Sequence, residues 1–205
     1  MTAASVVLLR HGVTDWNDGG RFQGHADIPL NQAGRDQAQA AGQLLAALGV
    51  TRVFCSDLAR AETTARIVAE GVGVARVVVD PRLREVNVGS WAGLSMDEAG
   101  VREPDFWPAL REGRDFRRSP EGETATESGQ RVALALLDHA EAAAEDEVLL
   151  VVGHGLSLRV GALLLMGLDY SHARLFGGLL NCHWAVMRPG GEYWRMLSYN
   201  EGAPA

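Results

Sequence analysis

Ser5-Val6-Val7-Leu8-Leu9-Arg10-His11-Gly12, near the start of the chain, decides the fold. A short apolar run leads here into an arginine, a histidine and a glycine, and Val148-Leu149-Leu150-Val151-Val152 leads in a similar way into Gly153-His154-Gly155. Short apolar runs that end at glycine are typical of buried strands in a parallel sheet. Ligands bind such sheets in the crevice beyond the carboxyl ends of the strands. The pattern therefore predicts a site that contains both histidines.

The size and composition of the chain narrow its class. Its 205 residues fit one large domain, and 47% hydrophobic with 22% charged residues is ordinary for a globular protein. The net charge of −7 argues against a general nucleic-acid or anionic-membrane surface, because both need clustered positive charge. No apolar run approaches the roughly 20 residues that span a membrane. Cys55 and Cys182 form no disulfide framework, and the first strand begins too early for a signal peptide, so we expect a reduced, cytoplasmic protein.

Strand and helix patterns alternate along the chain. Asn31 can cap a helix over residues 32–48, and Ser56 or Asp57 can cap a second helix that runs to about residue 70. The alternation predicts an α/β fold in which residues 1–205 form a single domain with three αβα layers and a mostly parallel sheet. A closing hairpin should add an antiparallel edge. The other predicted elements are strands at 51–55, 75–79 and 148–152, helices at 123–144 and from 153 to 166, and hairpin strands at 183–187 and 193–199.

His11 and Arg10 are the first candidates for chemistry. A histidine in this position can be a packed core residue, a metal ligand, a base or a nucleophile. A neutral imidazole nitrogen is a good nucleophile and forms covalent intermediates. The planar guanidinium of Arg10 suits the oxygens of a phosphoryl group, which it can bind in pairs.

Three further residues complete a candidate phosphoryl-transfer set. Arg60 lies one turn into the helix after strand 51–55, where backbone N–H groups favour anions, although a surface salt bridge is the alternative. A protonated His154 would add positive charge for the transferring group. Glu85 could serve as the acid for the leaving oxygen and then as the base for water, although in isolation it would be read as a surface carboxylate.

The sequence around these residues resembles the histidine phosphatase superfamily, the phosphoglycerate mutase-like proteins. Arg10-His11-Gly12-Val13-Thr14-Asp15-Trp16-Asn17 is similar to the signature R-H-G-x-T-x-x-N of that family. The resemblance continues through residues 22–30, 56–64 and 83–93 and ends at Gly153-His154-Gly155. One R-H-G triplet would carry little weight, but these motifs cover most of the chain in the order of the family.

The resemblance implies a role for each matching residue. His11 would become phosphorylated, Glu85 would donate and accept the proton, and His154 would act beside them on the phosphoryl group. Arg10, Arg60, Asn17 and Gln23 would bind the phosphate. No metal and no cofactor would be needed. Gly153, Leu156, Ala92 and Glu121 depart from the common pattern, but none of these changes removes a catalytic group.

Three functions stay open within this resemblance. Phe22-Gln23-Gly24-His25 and Glu85-Val86-Asn87-Val88-Gly89-Ser90-Trp91 are similar to the phosphatase branch, and the chain lacks the longer insertion of the mutases. We therefore expect a phosphomonoester hydrolase that transfers the phosphoryl group from His11 to water. The alternatives are a cofactor-dependent phosphoglycerate mutase and a non-catalytic module that binds phosphate or phosphoproteins.

Substrate choice is expected to come from residues 80–120, an irregular insertion over the site with one short helix near Met96. Trp107, Arg111 and, from the hairpin, His183 are candidates for the substrate pocket. Aromatic and arginine side chains would suit a sugar phosphate or a phosphoglycerate-containing compound, whereas the alternative is a solvated cover whose arginines pair with Glu112 and Asp115. The expected partner is a small phosphomonoester, with no nucleic acid and no membrane, and a homodimer is left open.

Overall fold

A six-stranded, mostly parallel sheet forms the centre of the protein, whose computed structural model describes residues 3–203. The strand order is β3-β2-β4-β1-β5-β6. β1, β2, β3 and β4 pair in parallel, and the closing hairpin adds β5 antiparallel to β1 and β6 antiparallel to β5. This confirms the predicted α/β fold. The strands are β1 Ser5–Arg10, β2 Arg52–Cys55, β3 Val77–Val79, β4 Val148–Gly153, β5 Trp184–Arg188 and β6 Arg195–Glu201.

Seven helices accompany the sheet within the described residues, and two helix pairs cover its faces. Side chains of a strand alternate between the faces of a sheet. Val6 and Leu8 of β1 accordingly pack in the core that contains α6 and α7, whereas Val7 and Leu9 pack in the core that contains α2 and α3. The helices are α1 Asp15–Asp18, α2 Gln32–Leu45, α3 Ala59–Gly71, α4 Met96–Arg102, α5 Phe106–Glu112, α6 Ala125–Glu141 and α7 Gly155–Leu165.

The predicted helix at residues 32–48 is α2 followed by one 3-10 turn, Ala46–Leu48. Its cap is confirmed, because the side chain of Asn31 accepts a hydrogen bond from the backbone N–H of Gly34 at 3.0 Å. Gly49 ends the turn with a φ of 68°, a backbone conformation that favours glycine.

The predicted cap of the second helix is wrong. α3 begins at Ala59, and neither Ser56 nor Asp57 caps it. The carboxylate of Asp57 instead binds Arg84, with Nε to Oδ1 at 2.8 Å. Asp27, which is distant in the sequence, supplies the acceptor instead. Its Oδ1 accepts a hydrogen bond from the N–H of Ala59 at 2.7 Å. A carboxylate at this position satisfies a helix N–H that has no partner inside the helix.

The insertion at 80–120 contains two short helices rather than one. α4 lies where the prediction placed a helix near Met96, and α5 was missed because Phe-Trp-Pro does not resemble a helix start. Pro108 lies in the first turn of α5, where a proline removes no helical hydrogen bond. An aromatic cluster holds the insertion together, with ring centroids 5.6 Å apart for Trp91 and Phe106 and 5.9 Å apart for Phe106 and Phe116.

Both cysteines are buried thiols. Burial raises the pKa of Cys55 and of Cys182 to about 12, so each thiol stays protonated at neutral pH. Within residues 3–203, no helix has the length and apolar character that are needed to cross a membrane.

Candidate active site

The pairing of β1 with β4 brings the two histidines together. Arg10 is the register partner of Gly153, so His11 and His154 follow neighbouring strand ends. Their rings meet edge to face with centroids 5.1 Å apart. Both side chains are buried, with 3% exposure for His11 and none for His154. The two-histidine site expected from the strand ends therefore exists as a geometric arrangement.

His11 presents one ring nitrogen to the crevice. Its Nδ1 lies 2.7 Å from the carbonyl oxygen of Gly12, and a carbonyl can only accept a hydrogen bond, so the neutral ring carries its hydrogen on Nδ1. This tautomer leaves the lone pair of Nε2 unused. Burial lowers the pKa of His11 well below its usual value, and the charges of Arg60 and Arg10 lower it further. The ring is therefore neutral at neutral pH, as a nitrogen nucleophile must be.

Close packing explains why a glycine, Gly12, follows His11. A Cβ atom at Gly12 would lie 2.3 Å from the backbone oxygen of Gly34 in α2, closer than real Cβ atoms come. The N–H of Gly12 also donates a hydrogen bond to Oγ1 of Thr64 at 3.1 Å. The turn after β1 is thus clamped between α2 and α3, and the position of His11 is fixed by backbone packing.

His154 is buried without a hydrogen bond at either ring nitrogen from any described residue. Burial lowers its pKa well below the usual value, and Arg60 and His11 add to this effect. A protonated His154 was expected from the sequence, but burial beside two arginines favours the neutral ring. A phosphoryl group next to His154 would reverse this balance, because an opposite charge favours the protonated form.

Two arginines flank the histidines. Arg10 donates from Nη1 to the carbonyl of Leu179 at 2.7 Å, and burial is the main cause that lowers its pKa. Arg60 is fully buried, and its two Nη atoms donate to the carbonyls of Ala26 and Gly24, both at 2.8 Å. Burial lowers the pKa of Arg60 to about 10, so it stays charged at neutral pH. The surface salt bridge that was the alternative for Arg60 is wrong.

The carboxylate of Glu85 lies at the N-terminus of α7, the helix that directly follows His154. One carboxylate oxygen accepts hydrogen bonds from the N–H groups of Val86 at 2.9 Å and Ser157 at 3.0 Å, and the other accepts from Leu156 at 3.3 Å. Glu85 therefore occupies backbone donors that the first turn of a helix leaves unpaired. The reading of Glu85 as an isolated surface carboxylate is wrong.

The backbone that carries Glu85 is held by Arg131 of α6, a residue that sequence reasoning missed. The carbonyl of Glu85 accepts hydrogen bonds from Nη2 of Arg131 at 2.6 Å and from Nε2 of His25 at 2.8 Å. Glu123 binds the same guanidinium, with Nη2 to Oε2 at 2.8 Å. The one available signal was an arginine adjacent to the apolar stripe of a predicted helix. Nη1 of Arg131 holds two more carbonyls, those of Arg82 at 2.9 Å and Arg84 at 2.6 Å.

Asn17 and Gln23 also line the site. Asn17 completes a capping box with Thr14 at the start of α1, and its Oδ1 accepts from Nδ2 of Asn181 at 3.3 Å. Nδ2 of Asn181 also donates to the carbonyl of His11 at 2.9 Å. Oε1 of Gln23 is buried with no partner among the described residues. Asn181 thus reaches the site from the segment before β5 and fixes both Asn17 and the backbone of the histidine.

One cavity of about 220 Å³ connects most of these groups, but His154 is not among the residues that line it and contacts the site through the ring of His11. The predicted residues that line it are Arg10, His11, Asn17, Gln23, Arg60 and Glu85. Two further arginines, Arg21 and Arg118, and an apolar wall of Phe22, Val86, Val88 and Leu156 complete the lining. In the part of the chain that the structure describes, no three His, Cys, Asp or Glu side chains lie close enough to hold a metal ion.

The three substrate-pocket candidates do not line this cavity. Trp107 packs edge to face on Phe106 at 4.9 Å and fills the space above Gly100, and Arg111 is exposed on α5. His183 lies beside a different cavity near Cys182, where its ring covers Gly202. Arg118, another arginine of the insertion, does line the catalytic cavity and is buried on the ring of Phe116 with 4.3 Å from Cζ to the centroid.

Part of the expected charge pairing in the insertion is present. Arg114 binds Glu112 at 2.6 Å, and Arg118 lies 3.4 Å from Asp115. Arg117 pairs instead with Glu127.

Comparison with known proteins agrees with this geometry. Residues 6–202 match the histidine phosphatase superfamily (branch 1). A relative in Erwinia tasmaniensis named "Probable phosphoglycerate mutase GpmB" is 39% identical over 177 residues, which are 86% of this chain and 81% of the relative. A Yersinia pestis protein of the same name is 38% identical over the same shares.

Solved structures with the same fold include phosphatases. A mycobacterial glucosyl-3-phosphoglycerate phosphatase in complex with VO3 is 32% identical, with a TM-score of 0.87 over 96% of this chain and 98% of that protein. A phosphoserine phosphatase from Entamoeba histolytica, in complex with 3-phosphoglyceric acid, is 24% identical, with a TM-score of 0.85 over 97% and 98% of the two chains. The second likeness supports the fold alone.

Proposed function

The chain belongs to branch 1 of the histidine phosphatase superfamily, and we propose that it hydrolyses small phosphomonoesters through a phosphohistidine at His11. The observation that carries the proposal is the arrangement around one cavity. His11 offers a neutral Nε2 because its Nδ1 is committed to Gly12, and Glu85 faces the same space from the N-terminus of α7. A nucleophile and a proton carrier that line one small cavity are what the reaction requires.

In the first step, Nε2 of His11 attacks phosphorus and a P–N bond forms. The P–O bond to the leaving alcohol breaks, and the leaving oxygen takes a proton from the carboxylic acid of Glu85. Arg10 and Arg60 hold the oxygens of the transferring group, because their charges are buried where water screens them least. His154 adds a further hydrogen-bond donor and, once protonated by the presence of the dianion, a further charge.

In the second step, water enters the position that the alcohol has left. The Glu85 carboxylate takes a proton from this water while its oxygen attacks phosphorus. The P–N bond then breaks, its electron pair returns to Nε2 of His11, and inorganic phosphate leaves. The step restores the protonated Glu85 that the next cycle needs, so the proposed reaction uses neither a cofactor nor a metal.

Water is the proposed acceptor because residues 22–25 and 85–91 resemble the phosphatase branch, and the named relatives divide on this point. The mycobacterial structural relatives at 32% identity are phosphatases, whereas the curated sequence relatives at 38–39% carry the mutase name. The cavity of about 220 Å³ has an apolar wall on one side, which suits the organic part of a substrate that leaves before water enters. Arg21 and Arg118 beside this wall favour a sugar phosphate or a phosphoglycerate-containing compound.

A panel assay tests the proposal. Phosphate release would be measured from p-nitrophenyl phosphate, 3-phosphoglycerate, sugar phosphates, phosphoamino acids and nucleotides, with and without EDTA. We expect hydrolysis of several members at rates that EDTA does not change. Efficient isomerisation of 3-phosphoglycerate in the presence of 2,3-bisphosphoglycerate would favour the mutase. No turnover and no acid-labile phosphoprotein with any member would favour a module that only binds phosphate.

A further inference from the structure

A second cavity of about 160 Å³ lies beside the catalytic cavity and is rich in arginine. Arg159 of α7 and Arg174 of the following 3-10 segment line it together with Tyr170 and Phe176. No residue that lines it carries a carboxylate. In a chain with a net charge of −7, a cavity with two arginines and no acid is a local exception.

Both arginines lack an acidic partner. Among the described residues, no carboxylate oxygen lies within 4.0 Å of either guanidinium. Nη1 of Arg159 makes only long hydrogen bonds of 3.3 Å to the carbonyls of Phe176 and Gly177, and its Nε is buried without a partner there. Arg159 is half-buried, so its charge is costly unless an anion completes it, whereas Arg174 is exposed at the rim of the cavity.

The shape of the cavity depends on Gly113, which follows α5. Its φ is 71°, and a Cβ atom there would lie 3.4 Å from Cδ of Arg174. The side chain of Arg174 therefore lies directly on the glycine. Gly113 and Arg174 thus form one part of the cavity wall.

The two cavities share a wall. Arg118 lines the catalytic cavity, and its Nη2 donates to the hydroxyl of Tyr170 at 3.4 Å, which lines the second cavity. Leu156 lines the catalytic cavity, and Arg159 lies three residues later on the same face of α7. The hydrogen bond between Arg118 and Tyr170 therefore lies between the two cavities, and Arg159 lies about one helical turn beyond Leu156.

We propose that the second cavity binds an oxyanion of the substrate other than the phosphoryl group that is transferred. The proposal rests on the function proposed above and narrows its substrate class to phosphomonoesters with a second carboxylate or phosphate on a part of the molecule that extends past Arg118. Guanidinium groups bind both oxyanions with paired hydrogen bonds. The hydroxyl of Tyr170 can donate to the same oxygens.

Matched substrate pairs test this assignment. 6-Phosphogluconate differs from glucitol 6-phosphate, also an open chain, by a carboxylate in place of a hydroxymethyl group, and fructose 1,6-bisphosphate differs from fructose 6-phosphate by a second phosphate. We expect the wild type to favour the more anionic member of at least one pair by about tenfold in kcat/KM, as one charged hydrogen-bonded contact of roughly 1.4 kcal/mol would give. The pair that shows the preference identifies carboxylate or phosphate as the bound group.

Variants then assign the preference to the cavity. Arg174→Gln and Arg159→Gln should each lower the ratio of kcat/KM within the preferred pair by about fivefold, and the double variant should abolish it. Arg174→Lys should keep part of the ratio, because the charge remains and the paired geometry is lost. Arg76→Gln removes an exposed arginine before β3, at the opposite end of the strands, and should leave the ratio unchanged.

Two results would overturn the assignment. One is a wild type that treats both members of each pair alike, and the other is a set of variants that lowers kcat/KM equally for both members. Hydrolysis of p-nitrophenyl phosphate separates this failure from failure of the catalytic proposal. If that compound is not hydrolysed, the Kd of each compound would be measured by calorimetry for the wild type and the variants. The ratio of the two Kd values within a pair then replaces the ratio of kcat/KM.

Discussion

The rings of His11 and His154 lie edge to face with their centroids 5.1 Å apart. Burial is the main cause that lowers both pKa values, and the two rings share the charges of Arg10 and Arg60 as a further cause. Two imidazolium rings in this place would repel each other and the arginines. The site therefore holds two neutral histidines until an anion arrives.

This arrangement predicts that stability depends on pH. Below pH 6.5, the ordinary pKa of histidine, His154 takes up a proton in the unfolded chain but stays neutral in the folded chain. The free energy of unfolding therefore falls as the pH falls. Above 6.5 the effect vanishes. Between pH 6.5 and 5.5, His154→Asn should remove roughly 1 kcal/mol of this dependence, since one group contributes at most about 1.4 kcal/mol per pH unit. Urea unfolding at several pH values would test this, and parallel curves for the two proteins would contradict it.

Replacement of the nucleophile should abolish the covalent intermediate. His11→Asn keeps a polar side chain of similar size, so we expect it to fold but to lose turnover by about 10⁴-fold or more. An acid quench after incubation with labelled phosphomonoester should trap label on the wild type and none on the variant. His183→Asn is the matched control, because that ring lies outside the catalytic cavity. Label on the His11→Asn protein would assign the nucleophile elsewhere.

Loss of the proton carrier should depend on the leaving group. Glu85→Gln retains an oxygen that can accept from Ser157 but cannot deliver a proton, so alkyl phosphates should slow by about 10²–10⁴-fold. p-Nitrophenyl phosphate should slow much less, because nitrophenolate leaves without full protonation. The measurement is kcat for a series of esters with leaving alcohols of different pKa. A uniform loss across the series would mean that another group supplies the proton.

Arg131 should act on the reaction through Glu85. Arg131→Gln removes the 2.6 Å hydrogen bond to the Glu85 carbonyl and the pairing with Glu123, so the carboxylate is no longer aimed at the leaving oxygen. We expect kcat for alkyl phosphates to fall by roughly tenfold, with a smaller loss for p-nitrophenyl phosphate. Arg66→Gln, which breaks an exposed ion pair with Glu62, is the control. Lower thermal stability without this leaving-group pattern would make Arg131 a purely structural residue.

The sequence predicted what depends on strand ends and missed what depends on packing between distant elements. Arg10 ends β1 and His11 follows it, and the parallel pairing of β1 with β4 brings both near His154. Arg131 lies on a helix far along the chain from Glu85, and only the tertiary fold shows that its guanidinium meets the Glu85 carbonyl.

The substrate side of the site was harder to predict for the same reason. His183 comes just before β5, and the direction of its ring depends on how β5 enters the sheet, which places it over Gly202. Trp107 is absorbed by the aromatic cluster, whereas Arg118 is brought to the cavity by its contact with Phe116. Composition identified the insertion as rich in arginines, but composition does not distinguish an arginine that points inward from one that pairs on the surface.

The register of β1 against β4 also has a consequence for how the protein acquires its activity. The two strands come from opposite parts of the chain, and their pairing alone sets Arg10 beside Gly153. Contacts of such large sequence separation close a long loop and tend to form late. A chain that has gained its helices but not this pairing would hold the two histidines in unrelated places. The return of enzymatic activity during refolding would therefore report when β1 pairs with β4.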